Sequence, residues 1–198
     1  MTERTQPTLS GAPEWVTAEM PPGYQTRLFE IQRLSADLRA MELVGRVLWE
    51  AGDTLREAVG AVFGALDCEV EPGPGTAGTI AVKLGPARRL LLVVSNASSP
   101  IQRTNEELAQ AFQAVQFASA GDRAVLVAGN DRMTPPASRP DPVLPDALDM
   151  LERMGVNVVT TAAVFRLWRL ALEDKQKARK VLDQLHAQDG GAFLIPPR

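Results

Sequence analysis

Apolar residues recur at two different intervals along this chain, and the exchange between the two periods predicts a mixed α/β protein. Over residues 26–50, Ile31, Leu34, Leu38, Met41 and Leu48 stand at spacings built from three and four, with Gly45 at the missing seam position. Arg33, Asp37, Arg39 and Arg46 take the other face, so the segment reads as an amphipathic helix. Its stripe either packs on the same domain or pairs with a second copy of itself. Gly52 interrupts the pattern, and Asp53 is placed to N-cap a second helix over residues 54–66. That helix turns Leu55, Val59, Val62, Phe63 and Leu66 inward, and Trp49, beside the interruption, is positioned to pin the long helix.

The period then changes. Strands are predicted over residues 68–71, 79–84 and 89–95, the first two joined by the turn-rich phrase EPGPGTAG. In the second, Ile80 and Val82 alternate with Thr79, Ala81 and Lys83, the signature of one buried face. The third carries the unbroken run LLLVV and reads as a strand covered on both sides. A helix over 106–120 follows, with Leu108, Phe112, Val115 and Phe117 as its apolar positions. Next come a buried strand over 124–128, a proline-rich loop, a short helix over 146–154 and a short strand over 157–160. Helices over 162–172 and 175–187 end at Gly190 and Gly191, and Trp168 belongs to the core face of the first of them. Tight turns make the first three strands an antiparallel meander, whereas a helix leads to the fourth and favours a parallel crossover. The expected architecture is an α/β sandwich, a central mixed sheet flanked by helices, with an N-terminal helical extension.

Composition narrows the chemistry. Lys and Arg number 21 and Asp and Glu 24, a formal charge of −3 in 198 residues, with hydrophobic residues at 45%. This is ordinary globular usage. A single cysteine, Cys68, excludes an internal disulfide, and one cysteine with one histidine, His186, cannot make a zinc site of the usual kind. No apolar run approaches the roughly 18 residues of a membrane-spanning helix. The opening MTERTQPTLSGAPEW lacks the apolar core of a signal peptide, which makes cytoplasmic location the expectation. The division expected is a flexible arm over 1–24, the helix over 25–50, an α/β domain over 51–190 and an apolar tail over 191–198.

Three phrases, in order, resemble the restriction-endonuclease-like fold, the PD-(D/E)xK nuclease superfamily, over residues 40–190. They are LVGRVLWEAGDTLREAV at 43–59, VLVAGNDRMTPPASRP at 125–140 and VNVVTTAAVFRLWRL at 156–170. The resemblance, closest to a bacterial nuclease-like domain, implies a three-layer sandwich. It also implies an Asp opening the second strand and a Glu-x-Lys in the third. Two carboxylates there hold Mg²⁺, which activates water against a phosphate. In this chain the Asp position falls at Thr79 and the Glu-x-Lys at Val93, Val94 and Ser95, while an assisting helix acid falls on Arg56, next to Glu57. Residues 73–101 contain no Asp or Glu. Lys83, without a carboxylate pair, reads as a solvent-facing strand lysine. The implied molecule is a pseudo-nuclease with vestigial positions Thr79, Val93 and Ser95, no metal site and no cofactor.

The remaining candidates are surfaces. GPGTAG lacks the Gly-Lys-Ser/Thr ending of a phosphate loop and reads as a hairpin connection. Ser95, Asn96, Ser98 and Ser99 have no histidine nearby in sequence and read as loop hydrogen-bonding groups. Arg166, Arg169, Lys175, Lys177, Arg179 and Lys180 form the best candidate for nucleic-acid contact, interrupted by Glu173 and Asp174. Trp15, Ile31, Leu34, Leu38 and Met41 are candidate partner contacts, with Phe193, Leu194 and Ile195 either joining them as a short motif or docking back at a sheet edge. The expected function is that of a catalytically inactive, protein-interacting scaffold module in a bacterial assembly, able to self-associate through the N-terminal helix. The alternatives are non-cleaving nucleic-acid binding and a metal-dependent nuclease whose ligands have migrated.

Overall fold

The computed structural model describes residues 14–17, 19–75 and 78–195. The chain falls into two units, Met1–Glu42 and Leu43–Arg198. Most of the arm expected over 1–24 lies outside the described residues; a 3-10 turn at Glu14–Thr17 places Trp15 in solvent. The first unit is otherwise most of helix α1, Tyr24–Gly45, whose buried residue, Val44, lies beyond the unit's end. The helix stops before residue 50. At Gly45 the backbone tightens into a 3-10 turn, Arg46–Leu48, and the Trp49 ring lies in van der Waals reach of where a Gly45 side chain would stand.

The second unit is a three-layer α/β/α sandwich around a six-stranded mixed sheet. Its elements are α2 (Gly52–Ala65), β1 (Glu69–Pro72), β2 (Thr79–Gly85), β3 (Arg88–Val94), α3 (Glu106–Gln116), β4 (Asp122–Ala128), α4 (Pro145–Arg153), β5 (Asn157–Thr160), α5 (Thr161–Glu173), α6 (Lys175–Ala187) and β6 (Gly191–Ala192). The strands lie side by side in chain order. β1, β2 and β3 form the expected antiparallel meander, and β4, β5 and β6 continue in parallel from β3.

Strand alternation distributes the core. Leu90, Leu92 and Val94 of β3 face α2, α5 and α6, together with Val82, Val125, Val127 and Val159. Leu91 and Val93 face α3 and α4, together with Ala81, Leu126 and Val158. The sheet is thus covered on both sides, as the run LLLVV required. Trp168 packs partly buried against the first of these cores.

Several boundaries differ from expectation for identifiable reasons. α2 begins at Gly52 without Asp53 as cap; the Gly52 N–H instead donates to Asn96 Oδ1, 2.8 Å away and 44 residues on. α3 ends at Gln116 because Asp122 turns back to accept the Ser119 N–H at 2.9 Å and begins β4 early. Its buried face is Leu108, Ala111 and Ala114, small enough to lie close on the sheet, while Phe112 and Phe117 are exposed. The Phe117 ring occupies the space a side chain at Gly75 would need. β6, too short for any periodic signal, is clamped by Asn157: its amide donates to Leu185 O and Gln188 O and accepts the Gly190 N–H.

One register row of the sheet is charged from strand to strand: Glu69, Lys83, Arg89 and Asp122 are successive pairing partners. Lys83 bridges Glu69 and Glu71, both at 3.0 Å, and Glu71, then Glu69, hold its ammonium above the usual lysine value. Arg89 grips Asp122 through two hydrogen bonds of 2.9 and 2.7 Å. Burial of Asp122 favours its neutral form, but Arg89 and the Ser119 N–H outweigh it and hold the carboxyl below its ordinary value. Such a group contributes stability above its unfolded value of about 3.9 that is lost as pH falls through the folded one. Asp122→Asn is therefore expected to lower stability by roughly 1–2 kcal/mol near neutrality. The gap to the parent should narrow in denaturant titrations as pH falls below the unfolded value of about 3.9.

Candidate functional site

The positions marked by the nuclease resemblance do meet in space. Thr79 at the start of β2 pairs directly with Val93 near the end of β3, and Ser95 continues β3 just past it. All three are buried. Ser95 has as its neighbour a carboxylate the sequence did not point to: Glu107, in the first turn of α3, accepts a 3.0 Å hydrogen bond from the Ser95 hydroxyl. Ser95 Oγ in turn accepts the Ala97 N–H at 3.0 Å, so the hydroxyl is used on both sides. Glu107 was hidden because its spacing belongs to α3; only the packing of α3 on β3 brings it to Ser95.

A shallow groove opens beside Thr79, lined by Arg56, Glu57 and Glu71. Its two acids do not form an open cation site. Glu71 is held by Lys83 at 3.0 Å and approached by Arg89 at 3.9 Å, and the Arg56 guanidinium, paired with Asp53, reaches to Gly78. Among the described residues, no three His, Cys, Asp or Glu side chains are grouped to hold a metal ion.

A second cleft, at the carboxyl ends of β4 and β5, has a volume of about 440 Å³. Three parts of the chain build it. β4 runs out through Gly129 and Asn130, where a side chain on Gly129 would collide with Thr161, so the exit loop lies directly against the start of α5. α5 supplies its own N-terminus: the Thr160 hydroxyl caps it by accepting the Ala163 N–H at 3.0 Å, and Thr161 and Ala162 line the cleft. The first N–H groups of a helix lack intrahelical acceptors and carry partial positive charge. The proline-rich loop forms the opposite wall.

Arg139 holds that loop in place. Its Nε donates to Thr134 O at 2.7 Å, and its Nη2 donates to Leu48 O at 2.7 Å and Arg132 O at 3.2 Å. Burial lowers its pKa from the usual arginine value, with Arg132 adding to the effect and Asp131 opposing it. Arg166 and Arg169, one turn apart on α5, line the same cleft, are exposed and enter no ion pair among the described residues. Asn130, only 2% exposed, lines it too, and its amide nitrogen has no hydrogen-bond partner among the described residues. A buried donor left without an acceptor costs about 1–3 kcal/mol.

The structure therefore divides the basic candidates. Arg166 and Arg169 join Arg139 at the cleft. Lys175 pairs with Asp67 at 2.8 Å, and Lys177 with its own helix cap Asp174 at 3.6 Å. Arg179 turns inward to the Leu84 carbonyl and the Cys68 sulfur, a structural tie rather than a surface contact. That guanidinium partly offsets the burial that pushes the Cys68 thiol up. Lys180 is exposed.

The apolar candidates divide as well. Ile31, Leu34, Leu38 and Met41 are 47–60% exposed. The tail takes the sheet-edge course: Phe193 N–H donates to Val158 O at 2.8 Å, Phe193 packs against the core, and Ile195 lies within it at 5% exposure. Ile195 is therefore core rather than contact surface, and Leu194 alone points outward. The serine-rich loop is structural where its bonds are seen. Asn96 caps α2, Ser95 bonds Glu107, and the Ser98 carbonyl accepts the Asp131 N–H at 3.4 Å.

Ser95→Ala should leave Glu107 and the Ala97 N–H without their partner, and a loss of about 1–3 kcal/mol is expected in urea unfolding. Adding Glu107→Leu should recover part of that loss, because removing both polar groups of a buried pair costs less than removing one. Comparison with protein-family models, with curated proteins and with solved structures returns no match.

Proposed function

We propose that the chain is a non-catalytic nuclease-like domain that works as a protein-interaction module, with the apolar stripe of α1 as its contact face. The observation that carries this reading is the stripe: Ile31, Leu34, Leu38 and Met41, at spacings of three, four and three, are all about half exposed. A row of large aliphatic side chains on one helix face is the form in which helices meet partner helices or grooves. Covering each contributes on the order of 1–2 kcal/mol. Trp15, exposed in the preceding 3-10 turn, adds a residue of the type that anchors interfaces.

The nuclease kinship is supported by the element order α2-β1-β2-β3-α3-β4, a helix, an antiparallel meander and a parallel fourth strand reached through a helix. The non-catalytic reading is supported by the occupants of the marked positions. Thr79 and Val93 pack in the sheet, and the Ser95 hydroxyl is committed to Glu107 and Ala97. A scaffold freed from holding a metal loses nothing by filling those positions, since clustered carboxylates without a cation repel one another.

The test compares the full chain with Leu34→Glu/Leu38→Glu by affinity capture from native lysate and by sedimentation. The variant should keep its unfolding midpoint and lose its partner, whether a second copy or another protein. Unchanged capture and unchanged sedimentation would remove the contact face from α1. Mg²⁺-dependent cleavage of DNA by the purified chain, abolished by Glu57→Gln or Glu71→Gln, would instead establish the migrated-ligand nuclease.

A further inference from the structure

We infer that the cleft between the proline-rich loop and the start of α5 binds a small phosphomonoester with a flat body, of the nucleoside monophosphate class. The anionic end is defined by charge. Arg166 and Arg169, the sixth and ninth residues of a 13-residue helix whose N-terminus also lines the cleft, enter no ion pair among the described residues. Arg139 keeps Nη1 free of the carbonyls that hold its other nitrogens. A carboxylate would be matched by one such guanidinium, whereas a phosphomonoester, carrying close to two charges and three acceptor oxygens, uses several donors together.

Asn130 is the independent pointer. It is buried at the point where β4 enters the cleft, and its amide nitrogen lacks an acceptor. Buried amides in folded proteins nearly always have partners, and a turn of this side chain toward the cleft would give it a ligand acceptor. The position agrees with the general behaviour of parallel strands, whose ligands bind outside the carboxyl ends.

The rest of the lining has different chemistry. Phe165 of α5 and Pro136 and Pro140 of the loop offer flat apolar faces, and Asp141 enters no ion pair among the described residues. Its carboxylate would repel a phosphate and accept hydrogen bonds from hydroxyl or amino groups. A volume of about 440 Å³ lies within the range of small-ligand sites. A long polyanion fits less well: Lys175, Lys177 and Arg179 are engaged within the chain, which has a net charge of −3.

The experiment is isothermal titration of the full chain with AMP, adenosine, inorganic phosphate and an oligonucleotide lacking terminal phosphates. Saturable binding of one AMP per chain is expected, with adenosine and phosphate each weaker by at least about tenfold. Arg166→Gln and Arg169→Gln, at exposed positions, should keep the ligand-free unfolding midpoint and each weaken AMP about tenfold, some 1.4 kcal/mol. Absence of saturable AMP binding would overturn the inference, as would binding indifferent to both substitutions. Tighter binding of the oligonucleotide, displacing AMP, would also overturn it and return the cleft to nucleic acid.

Discussion

Strand β3 is the constraint on which the second unit depends. Five consecutive apolar residues, Leu90 to Val94, are buried, and their alternation sends three side chains into one core and two into the other. A strand with two apolar faces cannot sit at the edge of a sheet or against a single helical layer. It demands neighbours on both sides and helices above and below. The antiparallel meander supplies the first neighbour, and the parallel crossover through α3 supplies the second. Because β3 is shared, α2, α5 and α6 on one side and α3 and α4 on the other are held at fixed height relative to each other, although the two cores have no buried residue in common.

That arrangement brings the carboxyl ends of β3, β4 and β5 to one margin of the sheet, where chain exits must be secured by polar groups. Two long-range side chains do so: Asn96, leaving β3, caps α2, and Arg139, in the loop after β4, ties that loop to the turn at Leu48. At the amino end of β5, Asn157 gathers the end of α6 and the start of β6. Buried backbone groups at loop ends require partners, and a single amide or guanidinium answers several at once. Among the described residues, the margin at the carboxyl ends leaves Asn130 with an unanswered donor and Arg166 and Arg169 without counter-charges. This contrast between secured and unsecured polar groups separates framework from candidate site.

The marked nuclease positions and the arginine cleft express opposite uses of polar chemistry. At Thr79, Val93 and Ser95 every polar atom with a visible role is spent within the fold, down to the hydroxyl shared between Glu107 and Ala97. At the cleft, charge stays exposed toward open space. The exposed apolar face of α1 lies in the first unit.

Local pattern was enough for the layered α/β architecture, the meander, the parallel fourth strand and the ranges of β5 and α6, because period and turn chemistry act over a few residues. It was also enough to mark Arg166 and Arg169 as basic surface. It did not reveal β6, two residues long, nor the true cap of α2, which comes from 44 residues away. It placed Phe112 and Phe117 inward by periodicity, whereas α3 lies on the sheet through Ala111 and Ala114. Glu107 at Ser95, Arg179 turned inward and Ile195 in the core were beyond it for the same reason. Spacing along the chain says which residues share a face of one element. Only the packing of elements decides which faces meet, and so which charges are neutralised and which are left to bind something else.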